Sequence, residues 1–325
     1  MKYFVTGATG FVGGVLVRKL CELRHEVHAS VRNPNRTNDL QALGVKLFKG
    51  DVTEKESMRE AMQGVDGVFH VAGWYKIGVK YKRDAERVNV QGTQNVLELM
   101  EELHIPKGVY TSTLAVNSDT HGQVVDESYH FTGEHLSEYD RTKAAAHAIA
   151  KEFIAKGLPL VIVMPGLIYG PGDTSSLRDN IISFLKGQLP AMPDQTKFCW
   201  AHVEDIAQGH ILAMEKGRSG ETYIIAGEPH TSVEAFRLAS EITGKPAPRT
   251  LSHKIFETMS KLVKPFDGIL PPTYTSEGLR IIAGVTYLGD NSKARHELGY
   301  NPRPFHKGWG ETLLHEMKLL SMNQS

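Results

Sequence analysis

The stretch that most constrains this chain is its opening. Lys2-Tyr3-Phe4-Val5-Thr6 reads as a short apolar strand, and Gly7-Ala8-Thr9-Gly10-Phe11-Val12-Gly13-Gly14 turns from it into a helix starting near Phe11. Glycines at such a junction have separate duties: a tight bend, a close approach of backbone to a ligand, and close packing of helix on strand. The first amides of the helix lack partners inside it and lie at the positive end of its dipole, so the junction suits phosphate. The spacing is Gly7-x-x-Gly10-x-x-Gly13, not G-x-G-x-x-G, and a glycine triplet alone also fits a plain strand-turn-helix link. Context narrows the reading. Val27-His28-Ala29-Ser30-Val31 offers a second strand after a helix-length interval, the βαβ setting that a dinucleotide grip requires.

Strand and helix signals alternate from there, with strands at 3–6, 26–31, 45–49, 65–71, 107–112 and 158–164 and helices at 11–24, 36–43, 54–63, 84–104 and 138–156. Val68-Phe69-His70-Val71 and Leu160-Val161-Ile162-Val163 are apolar on both faces, as buried parallel strands are. The expected fold is α/β, a doubly wound parallel sheet with a smaller C-terminal lobe. Residues 1–169 form the expected dinucleotide-binding domain, and a helix at 203–215 and strand at 222–226 return to it. Residues 170–202, with a helix at 177–187, and 227–325 form the expected substrate lobe, broken into short helices by Pro246, Pro248, Pro265, Pro271 and Pro272.

Composition excludes several classes. In 325 residues, 37 Lys and Arg balance 37 Asp and Glu, so there is no electrostatic footprint for a nucleic acid or a membrane. Cys21 and Cys199 are far apart and make neither a disulfide framework nor a zinc site. The chain opens without a basic stretch and apolar leader, and no apolar run nears about 20 residues, so the expectation is a soluble, cytoplasmic protein.

The second strand ends at Arg32, where an NAD enzyme is expected to place an acid for the ribose hydroxyls. No carboxylate follows Glu26 on that strand. Arg32, with Arg36 behind it, suits a 2′-phosphate and so NADP; the bland reading is a solvated basic loop. Asp51-Val52 closes the third strand near the expected adenine edge, though a turn or helix cap would equally use Asp51.

Tyr139 and Lys143 stand four apart on a predicted helix and share a face, while Ser112 and Thr113 end the preceding strand at the same edge. A phenol of pKa near 10 needs its phenolate stabilised by roughly 4 kcal/mol to act at neutral pH. An ammonium at about 4 Å, at an effective dielectric near 20, supplies energy of that order. Alone, such a pair is usually two neighbours on a solvated helix; behind a dinucleotide grip it reads as catalytic. His121, His130 and His135 match no metal spacing, and no metal is expected. Asp126-Glu127 reads as solvated loop. Lys76, Lys80, Lys82 and Arg83 surround Trp74, Tyr75 and Tyr81 where a substrate mouth would lie.

These segments together resemble the motif series of the extended short-chain dehydrogenase/reductases. Thr6-Gly7-Ala8-Thr9-Gly10-Phe11-Val12-Gly13, Gly50-Asp51-Val52, His70-Val71-Ala72-Gly73, Asn89-Val90-Gln91-Gly92-Thr93, Tyr110-Thr111-Ser112-Thr113, Tyr139-Asp140-Arg141-Thr142-Lys143 and Pro165-Gly166-Leu167-Ile168-Tyr169-Gly170-Pro171 occur in the family's order. His202-Val203-Glu204-Asp205-Ile206-Ala207 and Leu298-Gly299-Tyr300-Asn301-Pro302-Arg303-Pro304 look like the same family. The resemblance implies Tyr139 as general acid/base, Lys143 as the group that lowers its pKa and holds the nicotinamide ribose, and Thr113, or second Ser112, as the hydrogen-bond partner of the reacting oxygen. It implies cofactor contacts from Gly7, Thr9, Gly10, Phe11, Val12, Ala72, Gly73, Pro165, Gly166 and Ile168. Trp74, Asn117 and Tyr169 are the implied substrate contacts, and a homodimer through the Tyr139 helix is implied by the family alone.

Ala29-Ser30-Val31-Arg32-Asn33-Pro34 looks most like dihydroflavonol 4-reductases and their bacterial relatives, which use NADP. Met164-Pro165-Gly166-Leu167 stands where sugar-nucleotide epimerases carry Arg-Pro-x-Asn, and Leu114-Ala115 where dehydratases carry an acidic pair, so the resemblance points away from nucleotide sugars. The expectation is an NADPH-dependent reductase of a small-molecule ketone or aldehyde. An NAD-dependent sugar epimerase or dehydratase is the alternative, and a non-catalytic NADP sensor, which would not need the Tyr and Lys, the third.

Overall fold

The structure, a computed structural model, describes residues 1–34, 37–76, 82–270 and 274–322. Its strands are β1 (Lys2–Thr6), β2 (Glu26–Val31), β3 (Lys46–Lys49), β4 (Gly67–His70), β5 (Gly108–Thr111), β6 (Leu160–Pro165), β7 (Leu167–Tyr169), β8 (Ala191–Pro193), β9 (Lys197–His202), β10 (Thr222–Ile225), β11 (Pro229–Thr231), β12 (Arg249–Leu251) and β13 (Thr286–Tyr287). The helices are α1 (Phe11–Glu22), α2 (Asn38–Ala42), α3 (Arg59–Met62), α4 (Lys82–Ala85), α5 (Gly92–Glu102), α6 (Glu138–Ala155), α7 (Ser176–Leu185), α8 (Val203–Lys216), α9 (Ser232–Thr243), α10 (His253–Val263), α11 (Ser276–Ile282), α12 (Ser292–Leu298) and α13 (Phe305–Met322).

Seven strands form one parallel sheet in the order β10-β6-β5-β4-β1-β2-β3. Alternate side chains of each strand go to opposite faces. Tyr3 and Val5 pack with Leu16 of α1 and Ile206 of α8, whereas Phe4 packs with Val96 of α5 and Ala146 of α6. Every residue of β6 is buried, which accounts for its unbroken apolar run. Sequence order reverses between β1 and β4, and a ligand crevice is expected at the carboxyl ends of strands flanking such a switch.

The doubly wound α/β expectation is met, and several details differ. The helix expected at 84–104 is interrupted: α4 runs into a π-helical turn, Glu86–Gln91, before α5. The cause lies with Asn89, whose side chain accepts from the Trp74 amide (2.7 Å) and donates to the Trp74 carbonyl (3.0 Å) and the Thr142 hydroxyl (3.0 Å). A π-turn admits an extra residue and re-aims that side chain. The helix expected at 54–63 starts as a 3-10 turn, Lys55–Met58.

The stretch after 170 holds more order than its prolines suggested. Strands β7, β11 and β13 pair with β9 in a second sheet, β12 pairs with β8, and α13 is an 18-residue helix. A third core joins them, built on Tyr169, Trp200, Phe236, Phe305 and Trp309. These strands have two to six residues, too short to impose a period on the sequence. Among the described residues, no helix is long and apolar enough to cross a membrane.

Candidate active site

The carboxyl edge of the sheet gathers the glycine turn, the ends of β4, β5 and β6, and the first turns of α6. Gly7 has φ +72°, a conformation open chiefly to glycine. A Cβ there would stand 2.8 Å from the Ala72 nitrogen, so the turn lies directly against the segment leaving β4. Helix α1 begins at Gly10 with no side-chain cap and no acidic residue in its first turn. Its opening amides at Phe11, Val12 and Gly13 therefore face the crevice beside exposed Thr9 and Gly10, a cradle fit for a pyrophosphate.

A buried chain of polar groups supports this cradle. The Thr6 hydroxyl accepts from the amides of Val71 and Ala72 (3.1 Å each) and bonds His70 Nδ1 at 2.8 Å. His70 Nε2 meets Thr93 at 3.0 Å, and Thr93 bonds the Tyr110 phenol. Burial pushes His70 down to about 3, so the ring is neutral. With Thr6 accepting two amides, its proton goes to Nδ1, which makes Nε2 the protonated nitrogen facing Thr93.

Tyr110 leads to Lys143. The Lys143 ammonium, 5 % exposed, donates to the Thr111 carbonyl at 2.7 Å and the Tyr110 hydroxyl at 3.3 Å. A Cβ on Gly73 would stand 4.0 Å from Nζ, so the segment after β4 passes directly over the lysine. Desolvation lowers Lys143 to about 7. Half-buried Tyr139 is raised to about 12 by desolvation; a hydrogen bond with Thr113 pulls it down and the Asp140 charge pushes it up. Lys143 is not among the groups that shift the phenol. The lysine is committed to β5, and burial disfavours the charged form of both partners. A phenol held neutral is ready to give a proton rather than to take one.

Thr113 caps the 3-10 turn Leu114–Asn117 through its hydroxyl and also faces Tyr139. Ser112 is 3 % exposed and bonded to His147 Nδ1 at 2.8 Å, which leaves Thr113 as the hydroxyl beside the phenol. His147 was not singled out from the sequence, although Tyr139, Lys143 and His147 recur every four residues on α6 and so share one stripe.

At the expected cofactor rim, Arg32 is exposed just past β2 and makes no ion pair among the described residues; Arg36 lies outside them. Asp51 Oδ1 accepts from the Thr53 amide and hydroxyl (2.9 Å each), so the turn reading holds for that oxygen. Val52 packs on α5, where a Cβ on Gly92 would stand 2.8 Å from it. Pro165 ends β6, Gly166 lies so close to β9 that a Cβ would be 2.1 Å from the Cys199 carbonyl, and Ile168 packs on the core between sheet and α8.

The three implied substrate residues separate. Trp74 is half-buried and clamped by Asn89, and Tyr75 reaches Thr174 at 3.1 Å. Asn117 is 4 % exposed, and its Nδ2 has no hydrogen-bond partner among the described residues. Tyr169 does not reach the crevice: it is 1 % exposed within a ring of Trp200, His202, Phe305 and Trp309. Lys80 and Tyr81 lie outside the described residues. Glu127, read as solvated, is half-buried and accepts from the Ile224 amide at 2.8 Å, pinning its loop to β10.

A doubly wound sheet with an uncapped glycine turn at its switch point, and a Tyr-Lys helix over the same edge, defines a Rossmann-type oxidoreductase acting on a CH–OH or carbonyl group. The chain belongs to the NAD dependent epimerase/dehydratase family, whose model matches residues 3–226; these are extended short-chain dehydrogenase/reductases. It is 34 % identical over 310 residues to a Synechocystis sp. protein named "Putative dihydroflavonol 4-reductase", covering 91 % of this chain and 89 % of that one. It is 29 % identical over 317 residues to the 4-hydroxy-2-methyl-3-oxo-4-farnesyl-3,4-dihydroquinoline-1-oxide ketoreductase of Stigmatella aurantiaca, covering 94 % of each. Its fold is similar to that of DesIV, a dTDP-glucose 4,6-dehydratase of Streptomyces venezuelae solved with NAD bound, at TM-score 0.80 and 22 % identity over 99 % of this chain and 98 % of that one.

Proposed function

We propose that this chain is an NADP-dependent reductase of a ketone or aldehyde, with Tyr139 as the acid. The observation that carries the reading is the placing of Tyr139, at the start of α6, and Thr113, just past the end of β5, on the sheet edge where Lys143 is held under Gly73. Bound at the glycine turn, NADPH supplies the hydride. Thr113 orients the reacting oxygen, and the neutral Tyr139 phenol protonates it. An alkoxide is far more basic than a phenolate, so a phenol at about 12 is a competent donor and is almost fully protonated at neutral pH. The reverse oxidation would use the same group as phenolate, taking the proton from the alcohol.

Exposed Arg32 supports NADP over NAD. The one carboxylate of β2, Glu26, is engaged by Lys46 and His28 at the opposite end of the strand. The two reductase-named relatives support carbonyl reduction, and apolar Met164 and Leu167 disfavour a nucleotide sugar. The Asn117 amide, buried with an unused donor, suits an oxygen-bearing substrate. In this reading residues 1–169 and 203–226 hold the cofactor, 170–202 and 227–325 shape the substrate side, and the protein works in the cytoplasm as a homodimer through α6.

The test is a panel of flavonoid 4-ketones, aliphatic and aromatic aldehydes and hydroxysteroid ketones, followed by loss of NADPH and, separately, NADH. Steady NADPH oxidation that falls by about 10²-fold or more in Tyr139→Phe, with NADPH affinity kept, is expected. Full turnover by that variant would remove the assignment. Conversion of a nucleotide sugar without net cofactor change would establish the epimerase reading instead.

A further inference from the structure

The start of the Tyr139 helix is gripped from far along the chain. Asp140, next to the phenol, is 2 % exposed; its Oδ1 accepts from Ser137 Oγ at 2.7 Å and its Oδ2 from Tyr287 Oη at 2.9 Å. Tyr287 lies on β13, is 7 % exposed, and stacks on Phe198 at 5.8 Å. Glu277, 4 % exposed at the start of α11, accepts from the Glu138 amide at 2.6 Å and so covers the first turn of α6. The loop from Thr113 to Tyr139 is tied to the same distant segment: Thr286 receives Thr120 N–H at its carbonyl (2.8 Å) and gives its own amide to Asp119 Oδ1 (3.0 Å).

An asparagine at 140 could make the same two contacts, donating to Ser137 and accepting from Tyr287, without burying a charge. Geometry alone therefore does not require the carboxylate. Its remaining effect is electrostatic, and its sequence neighbour is the proposed acid.

We propose that Asp140 and Tyr287 are a positioning pair for the reaction: Tyr287 seats the first turn of α6 so that the Tyr139 phenol meets Thr113, and the Asp140 carboxylate sets a negative charge beside that phenol. This rests on Tyr139 being the acid of the proposed reduction. The charged and titratable groups facing Asp140 are Tyr139 on its own helix, Tyr287 on β13, and Glu277 and Arg280 on α11; Asp119 faces Tyr287. Burial raises Asp140 to about 6, so it is ionised wherever Tyr139 titrates. Tyr139 rises in part from that charge. The charge keeps the acid protonated over the working range and holds off the alkaline loss of activity.

The experiment titrates Tyr139 in the full chain by NMR of ¹³Cζ-labelled tyrosine, with its resonance assigned by Tyr139→Phe, and records kcat against pH with NADPH. In Asp140→Asn, Tyr139 should titrate lower by about one pH unit or more, and the alkaline limb of kcat should move down with it while NADPH Kd stays within about twofold. In Tyr287→Phe, kcat should fall about tenfold with carbonyl KM unchanged. Adding Asp140→Asn to Tyr287→Phe should lower the Tyr139 titration as the single variant does, because the charge acts on the phenol independently of the lost contact. An unmoved Tyr139 titration in Asp140→Asn, or an unchanged kcat in Tyr287→Phe, overturns the pair. The titration is read without turnover, so wild-type activity in Tyr139→Phe would sink the catalytic assignment separately.

Discussion

A Cβ atom on Gly13 would stand 2.1 Å from the carbonyl oxygen of Gly7, six residues back across the cofactor loop. That approach draws α1 onto the end of β1 and leaves its opening amides at the crevice. Gly13→Ala must push the helix away, at about 1 to 3 kcal/mol or more. The melting temperature should fall by several degrees and NADPH Kd should rise at least about tenfold, read by thermal melts with and without cofactor. Unchanged values in both would exclude the loop as the phosphate cradle.

Under the proposed function, Arg32 meets the 2′-phosphate of the coenzyme. Arg32→Ala should weaken NADPH by about 10- to 100-fold, the worth of a lost charge-assisted phosphate contact, and leave NADH nearly untouched. Titration of both nucleotides by fluorescence checks it. An equal loss for both would mean that the guanidinium does not discriminate the 2′-phosphate.

Lys143 gives the ligand-free protein a predictable response to pH. Its folded value, about 7, lies below the 10.5 of an exposed lysine, so the unfolded chain binds the extra proton between those limits. The cost to stability is therefore full below pH 7, shrinks as pH rises, and vanishes above about 10.5. Lys143→Met should raise the melting temperature at pH 6 and lose most of that advantage by pH 10 while abolishing turnover. A constant offset across that range would contradict the desolvated lysine.

Asp140 shifts the other way. Raised from 3.8 to about 6, it binds its proton more readily folded than unfolded, so its cost appears as pH climbs between those values and is full above about 6. Asp140→Asn should melt higher than the parent at pH 7.5 and level with it near pH 4. Equal melting at pH 7.5 would argue that the carboxylate is not desolvated.

Asn117 carries a buried donor with no partner among the described residues, a group that costs stability until an acceptor arrives. Asn117→Leu should leave the melting temperature level or higher and raise the carbonyl KM several-fold at constant NADPH Kd. An unaltered KM would take Asn117 out of the substrate site.

Much of the candidate site's layout was legible because its signals are local. Gly7, Gly10 and Gly13 are spaced by one backbone turn, and Tyr139 and Lys143 by one turn of α6. What escaped the reading came from contacts across the chain. Asn89 lies in a helical pattern, and nothing in its neighbours announces the π-turn that sends its amide to Trp74 and Thr142. Tyr110 reads as one more apolar strand residue, yet its hydroxyl holds Lys143. Nothing local sets the surroundings of Asp140, to which β13 brings Tyr287 from 147 residues away.

By itself the sequence determined the parallel sheet, the glycine turn, and which helix face carries the phenol and amine, since each follows from a repeat of two or about four residues or from a glycine's freedom at positive φ. Only the tertiary structure decided the protonation of that pair and the company it keeps. Desolvation and distant hydrogen bonds depend on which segments fold over the site, and no local spacing encodes them.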